Sequence, residues 1–162
     1  MFIEWKQIFG SLFDDEGKSV DLEHEMAIFE RVQKKLREEF PLFQMKCVAC
    51  GLKILGLWHS QAQIDVFFDA IKYSNMVVGF DLVNEEDYCP AMEAFMDVVY
   101  TAREKAASLD PPREFPIYMH CGESNARSNQ QLYDAILMGT KRIGHGFHLA
   151  WAPELQKIVK EQ

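Results

Sequence analysis

Two polar clusters in this sequence carry the residue types that enzymes use to bind metal ions and to move protons. The first, His120-Cys121-Gly122-Glu123, follows an apolar run at residues 117–119 that is typical of a buried strand. The second is His145, which comes at the end of Arg142-Ile143-Gly144, where the next strand is predicted. Imidazole nitrogens ligate metal ions and exchange protons near neutral pH, and a carboxyl group donates or accepts a proton. These clusters are therefore candidates for a metal-binding or catalytic site.

Both clusters are predicted to lie at the same edge of one sheet. Between them the sequence predicts a helix that begins after Ser128 or Asn129 and ends at Gly139, with apolar residues recurring at helical spacing. Two consecutive strands joined by a helix must be parallel, so their carboxyl ends point to the same side. Ligand sites of α/β sheets lie on that side. The alternative for each histidine is a hydrogen-bonded core residue, and for Glu123 a solvated turn carboxylate.

The rest of the chain alternates strands and helices. Further strands are predicted at residues 43–50 and 76–81, and further helices at 22–40, 61–73, 91–108 and 153–162. Residues 3–13 carry apolar side chains at helical spacing and predict one more helix. About four parallel strands alternating with helices predict an α/β fold. With 162 residues, of which 48% are hydrophobic, the chain predicts one domain over residues 1–162.

Charge and cysteine content narrow the possible partners. The net charge of -8 argues against nucleic acid or an anionic membrane surface as a partner, because both attract basic patches, whereas a neutral small molecule is compatible. The sequence contains no run long enough to span a membrane, and its first residues do not resemble a targeting signal. The four cysteines are predicted to be buried free thiols, since Cys47 and Cys50 lack the second Cys-x-x-Cys pair of a structural zinc site.

Taken together, the motifs resemble those of the adenosine deaminase family. HCGE stands where that family has His-Ala-Gly-Glu, and LYDAILMGTKRIGHGF at residues 132–147 is similar to its Asn...DA...RIGHG segment. Residues 77–87, VVGFDLVNEED, resemble its Gly-x-Asp-Leu-x-Gly-x-Glu strand, and the Phe-Asp-Leu-Val sequence favours the adenosine deaminase-related growth factor branch. The recognisable motifs extend from about Phe43 to Pro153.

The resemblance implies a fold and a set of roles. Family members have a TIM-type (β/α)₈ barrel, which needs roughly 250 residues, so this chain would be a partial barrel covering about strands four to seven. The implied cofactor is zinc, with His120 as a ligand, Glu123 as the acid that protonates the purine ring, and His145 orienting the attacking water. Asn84 stands where the family usually has a glycine whose backbone amide contacts the purine, and is the implied substrate-binding residue. Asp81 and Glu86 also match family positions and are interpreted as supporting residues.

The implied activity is that of a hydrolase of purine metabolism. The full-length parent would use zinc to deaminate adenosine or 2'-deoxyadenosine to inosine and ammonia. The fragment itself would be inactive, because the family's His-x-His pair on the first strand and its Asp-Asp after the eighth strand are absent here, and catalytic zinc generally takes three protein ligands. A growth-factor-type parent would be extracellular, the alternative being cytoplasmic, and could form a homodimer.

Two other functions stay open. The chain could belong to another metal-dependent barrel hydrolase, or to a non-catalytic relative that binds adenosine or serves in signalling. A zinc deaminase of the cytidine and nucleobase class is not indicated, since such an enzyme needs His-x-Glu with Pro-Cys-x-x-Cys and neither motif occurs here.

Overall fold

The computed structural model describes residues 1–161 and shows five strands alternating with helices. The strands are β1 (Phe2–Gln7), β2 (Gln44–Leu52), β3 (Val77–Val83), β4 (His120–Cys121) and β5 (Gly144–His145). The helices are α1 (Leu22–Glu39), α2 (Gly56–Tyr73), α3 (Met96–Ala107), α4 (Gln131–Leu137) and α5 (Pro153–Glu161). The α/β fold is as predicted. The end that we predicted for the last helix, at Gln162, lies outside the described residues.

The strands form one parallel wall in which each strand lies beside the next one in sequence. β1, β2 and β3 pair in that order, and β4 pairs with β5. A bridge between Phe80 and Ile117 joins the two parts, since the Phe80 amide donates to the Pro116 oxygen at 2.9 Å and the Tyr118 amide to the Phe80 oxygen at 2.9 Å. Sequential parallel order with helical crossovers is the arrangement of a (β/α) barrel, and five strands form part of one.

Residues 3–13 do not form the helix that their apolar spacing predicts. Residues 2–7 are strand β1, which pairs with β2. Ile3 and Trp5 alternate with Glu4 and Lys6, and this period of two is what a strand with two different faces requires. Trp5 packs edge-on against Phe29 of α1 with ring centroids 4.9 Å apart. The wall therefore has five strands, one more than predicted.

The two faces of the wall differ in character. The helix-facing side packs the main hydrophobic core, in which the rings of Phe67, Phe68 and Phe115 lie within 4.9 to 5.8 Å of one another. On the opposite side, Lys6 of β1 forms an ion pair with the buried Asp81 of β3. Polar groups thus line the concave side of the wall, where a barrel holds its interior.

The cysteines are free thiols, as predicted. Cys47, Cys50 and Cys121 are buried and Cys89 is half-buried. Burial, reinforced by nearby carboxylates, raises the pKa of Cys50 and that of Cys121 to about 12, so both stay protonated at neutral pH. Within residues 1–161, no helix is both long and apolar enough to cross a membrane.

Candidate active site

The carboxyl ends of β4 and β5 bring the three predicted residues together. His120 is paired with Gly144, and Cys121 with His145, so the two histidines lie on neighbouring strands with ring centroids 5.9 Å apart. The Oε2 atom of Glu123 lies 3.5 Å from Nε2 of His145. The side chain of His120 is 10% exposed, whereas those of His145 and Glu123 are 39% and 54% exposed. The site thus has a buried inner histidine and an open outer pair.

His120 is held by Asp81, which is fully buried in β3. The backbone amide of His120 donates to Asp81 Oδ1 at 3.3 Å, and its Nδ1 lies 3.2 Å from Asp81 Oδ2. A carboxylate on one ring nitrogen is the usual way in which proteins orient a metal-binding histidine. The other ring nitrogen, Nε2, lies 3.2 Å from the backbone oxygen of Asn84, and a metal ion bound at Nε2 would replace that contact.

Lys6 is a site residue that sequence reasoning missed. Its amine forms an ion pair with Oδ2 of Asp81, the oxygen that also lies nearest to Nδ1 of His120, so the buried carboxylate has a cationic partner. We did not identify it because residues 3–13 were predicted to be helical. The alternation of Ile3 and Trp5 with Glu4 and Lys6 was the available signal.

A second ion pair crosses the concave face between the first and last strands. Arg142, just before β5, donates to Glu4 of β1, with Nη1 3.2 Å from Oε2. The Arg142 guanidinium also lies 4.8 Å from the centroid of the Tyr118 ring. The hydrogen bond and the charge of Glu4 raise the pKa of Arg142, so the guanidinium stays ionised. The ion pair between Arg142 and Glu4 thus connects the first strand of the wall, β1, to the segment that leads into the last, β5.

Asn84, beside His120, has a strained backbone and a buried side-chain oxygen without a hydrogen-bond partner within residues 1–161. Its φ of 109° lies in a region that favours glycine. Its Oδ1 atom is buried and, among the described residues, is the one such side-chain atom without a hydrogen-bond partner. Strain and unsatisfied polar groups of this kind concentrate at functional sites. Asn84 also contacts the candidate site directly, since its backbone oxygen lies 3.2 Å from Nε2 of His120.

The turn that carries Glu123 is held from two sides. Gly122 has a φ of 71°, which allows the chain to reverse after β4. Beneath the turn, both oxygens of Glu86 lie 3.3 Å from the Glu123 amide that donates to them. On the outer side, Asp87 accepts from the Ser124 hydroxyl at 2.6 Å and from the Asn129 amide at 3.0 Å. These two hydrogen bonds hold the pKa of Asp87 below its usual value.

The residues present do not fit a complete zinc site. In the part of the chain that the structure describes, no three His, Cys, Asp or Glu side chains are grouped so that they could hold a metal ion. His120, oriented by Asp81, has the arrangement of a single ligand. Catalytic zinc generally needs three protein ligands and one open position.

Comparison with known proteins shows which proteins this chain is similar to. No protein-family model matches the chain. Adenosine deaminase 2 of Dictyostelium discoideum is 30% identical over 97% of this chain and 29% of its own length. Adenosine deaminase of Aedes albopictus is 27% identical over 99% of the chain and 30% of its own length.

By sequence, this chain is similar to the adenosine deaminases. The resemblance predicted from the motifs is confirmed, and further relatives named adenosine deaminase 2 include the human protein, which is 24% identical over 96% of the chain. The chain spans about 30% of the length of the curated relatives that it matches.

A solved structure independently supports the architecture. The crystal structure of an amidohydrolase from Burkholderia ambifaria, with bound Zn, matches 88% of this chain with a TM-score of 0.70. The match covers 36% of that chain at 17% sequence identity, so it bears on the fold alone. The prediction of a partial barrel is confirmed.

Proposed function

We propose that this chain is part of a zinc-dependent hydrolase that deaminates adenosine or 2'-deoxyadenosine to inosine and ammonia. The observation that carries the proposal is the meeting of His120, Glu123 and His145 at the carboxyl ends of adjacent parallel strands. The names of the curated relatives support the choice of reaction.

Hydrolytic deamination needs water at the ring carbon that bears the amine, a proton for the adjacent ring nitrogen, and departure of ammonia. Glu123 is the proposed proton donor to the ring nitrogen, because its carboxyl group is the one held at the rim by a fixed turn. His145 is the proposed group that orients the attacking water, since it lies within 3.5 Å of the same carboxyl group. Asn84, beside His120, is the proposed contact to the purine.

His120 is the proposed zinc ligand in this chain, and we propose that the parent supplies the remaining ligands from segments that this sequence does not contain. Zinc would supply an activated water. With one ligand of its own, the isolated chain should bind zinc weakly and should not turn over adenosine.

The test of Glu123 is Glu123→Gln in the full-length parent, with conversion of adenosine to inosine and bound zinc as the two measurements. Loss of a proton donor should lower kcat by about 10² to 10⁴ while zinc content stays unchanged. Glu104→Gln, on the exposed side of α3, is the matched control and should leave both measurements as in the wild type. A kcat for Glu123→Gln within a few-fold of the wild type, at full zinc content, would reject the assigned role.

The fragment itself provides a separate test. Purified residues 1–162, free of full-length protein, should show no inosine production above background when zinc is added. Zinc-dependent turnover by this chain alone would refute the proposal that essential ligands lie elsewhere.

Another metal-dependent barrel hydrolase is the second candidate, favoured by the fold of the zinc-containing amidohydrolase and by the side chain of Asn84 where the resemblance predicts glycine. Assaying the parent against adenosine, amides and phosphoesters separates the two, and binding of adenosine without turnover would identify a non-catalytic relative.

For a parent of the growth-factor branch we propose an extracellular location, and size-exclusion measurements would show whether it is a homodimer.

A further inference from the structure

A buried polar network lies behind the turn that carries Glu123. Lys53 follows β2, Glu86 follows β3, and Gln131 is the first residue of α4. Their exposed fractions are 0%, 4% and 4%, although each has a polar side chain of a type that water solvates strongly. Glu86 contacts Glu123, a residue of the proposed reaction, through the backbone amide of Glu123 and not through its carboxyl group.

The contacts form a continuous series. The Lys53 amine donates to Oε1 of Gln131 at 2.6 Å, and Nε2 of Gln131 donates to the backbone oxygen of Glu86 at 2.5 Å. The Glu86 carboxylate then accepts from the backbone amides of Glu123 at 3.3 Å and of Ser124 at 3.4 Å. The segments that follow β2 and β3 are thereby joined to the turn that follows β4.

This arrangement is costly, and stability alone does not account for it. Burial lowers the pKa of Lys53, and the negative charge of Glu86 acts in the opposite direction. Hydrophobic residues of similar volume commonly replace buried charges without loss of stability. A buried carboxylate that accepts two backbone amides, however, fixes those amides more firmly than an apolar side chain could.

We propose that Glu86 is a positioning residue that fixes the backbone of Glu123, and that Lys53 and Gln131 hold Glu86 in place for this purpose. The importance of this role for catalysis rests on the proposed function of Glu123 as a proton donor. Displacing a reacting group by about 1 Å can cost on the order of 100-fold in rate, so a fixed backbone at Glu123 would matter for turnover.

The direct test compares Glu86→Gln with Asp87→Asn by amide hydrogen exchange, followed by NMR on the 162-residue chain. Replacing the carboxylate with an amide should accelerate exchange of the Glu123 and Ser124 amides by about 10- to 100-fold, the range expected for losing a charge-assisted hydrogen bond. Asp87→Asn is the matched control, because asparagine loses the charge but keeps an oxygen that can accept from the Ser124 hydroxyl and the Asn129 side chain, and both hydrogen bonds use one oxygen of Asp87. It should leave the exchange of the Glu123 amide unchanged.

Lys53→Met and Gln131→Met keep the test decisive if Glu86→Gln does not fold. Both leave the carboxylate in place but remove its support, and both should accelerate exchange of the same two amides by a smaller factor. Lys53→Arg retains the cation and should restore much of the protection that Lys53→Met loses. Unchanged exchange of the Glu123 amide in every folded variant would overturn the proposal.

Kinetics in the full-length parent separate this inference from the proposed function. Glu86→Gln should lower kcat for adenosine about tenfold or more, with KM within about twofold and zinc content unchanged. Faster amide exchange without any loss of kcat would refute a catalytic purpose for the network. A wild-type parent that loads zinc but does not deaminate adenosine would refute the proposed function instead, and the exchange comparison would still decide whether Glu86 holds Glu123.

Discussion

Gly79 offers a sharp test of how the wall of strands is built. It lies in β3 on the concave face, where a Cβ atom would come within 2.4 Å of Tyr118 Cε2, 2.6 Å of Tyr118 Cδ2 and 2.9 Å of the Pro116 oxygen. Ordinary contacts of a Cβ atom begin at 3.4 Å, so Gly79→Ala would require the ring to move by about 1 Å. The backbone oxygen of Pro116 would have to move as well.

The cost can be worked out from these contacts. Overpacking of this kind costs about 1 to 3 kcal/mol. The Pro116 oxygen also accepts the Phe80 amide at 2.9 Å, and that hydrogen bond is half of the bridge that joins β3 to the segment leading into β4. Weakening it adds about 0.5 to 1.5 kcal/mol. We therefore expect Gly79→Ala to lower the free energy of unfolding by about 2 to 4 kcal/mol, or the Tm by about 5 to 15 °C.

Urea denaturation of the wild type, Gly79→Ala, Tyr118→Ala and the double variant measures this effect and its cause. If the ring is the obstacle, removing it should recover more than about 1 kcal/mol of the loss in a double-mutant cycle. Gly79→Ala within about 0.5 kcal/mol of the wild type would refute the reasoning, because surface substitutions without structural conflict fall in that range.

Two further predictions concern stability near the site and in the first helix. Asn84→Gly should raise the free energy of unfolding by about 1 kcal/mol, because a φ of 109° strains asparagine but not glycine, and a lower thermal midpoint for the variant would contradict this. Burial raises the pKa of Glu25, so the wild type should lose stability as the pH rises above 4.5 through the folded pKa, and Glu25→Gln should lack this loss. Denaturation midpoints measured from pH 4 upward test the second expectation, which parallel curves for the two proteins would refute.

The sequence predicted the relative positions of the two histidines better than it predicted the elements around them. His120 and His145 could be placed at one edge because a strand, a helix and a second strand must bring their ends together, whatever the lengths of the strands. The structure gives β4 and β5 only two residues each, yet the two histidines still lie side by side. Topology, rather than the accuracy of element boundaries, made that prediction succeed.

The contacts that hold the site could not be predicted in the same way. Lys6 and Asp81 are 75 residues apart, and Glu4 and Arg142 are 138 residues apart, so no local pattern relates them. The misassigned helix at residues 3–13 removed Glu4 and Lys6 from consideration altogether. A segment of alternating apolar and charged residues fits a helical stripe nearly as well as a strand when it is short, and pairing with β2 decides between them.

The distribution of burial across the site indicates what a longer parent would have to add. Asp81, Glu86 and Lys53, which support the residues of the site, are buried. Glu123 and His145, which would meet the substrate, are 54% and 39% exposed on the open concave side. A proton donor acts most effectively where water is excluded, because the electrostatic interactions that assist proton transfer are weaker in water. The proposed reaction therefore needs segments that cover this concave face as well as segments that complete the metal site, and a parent supplying only additional zinc ligands would leave Glu123 in contact with solvent.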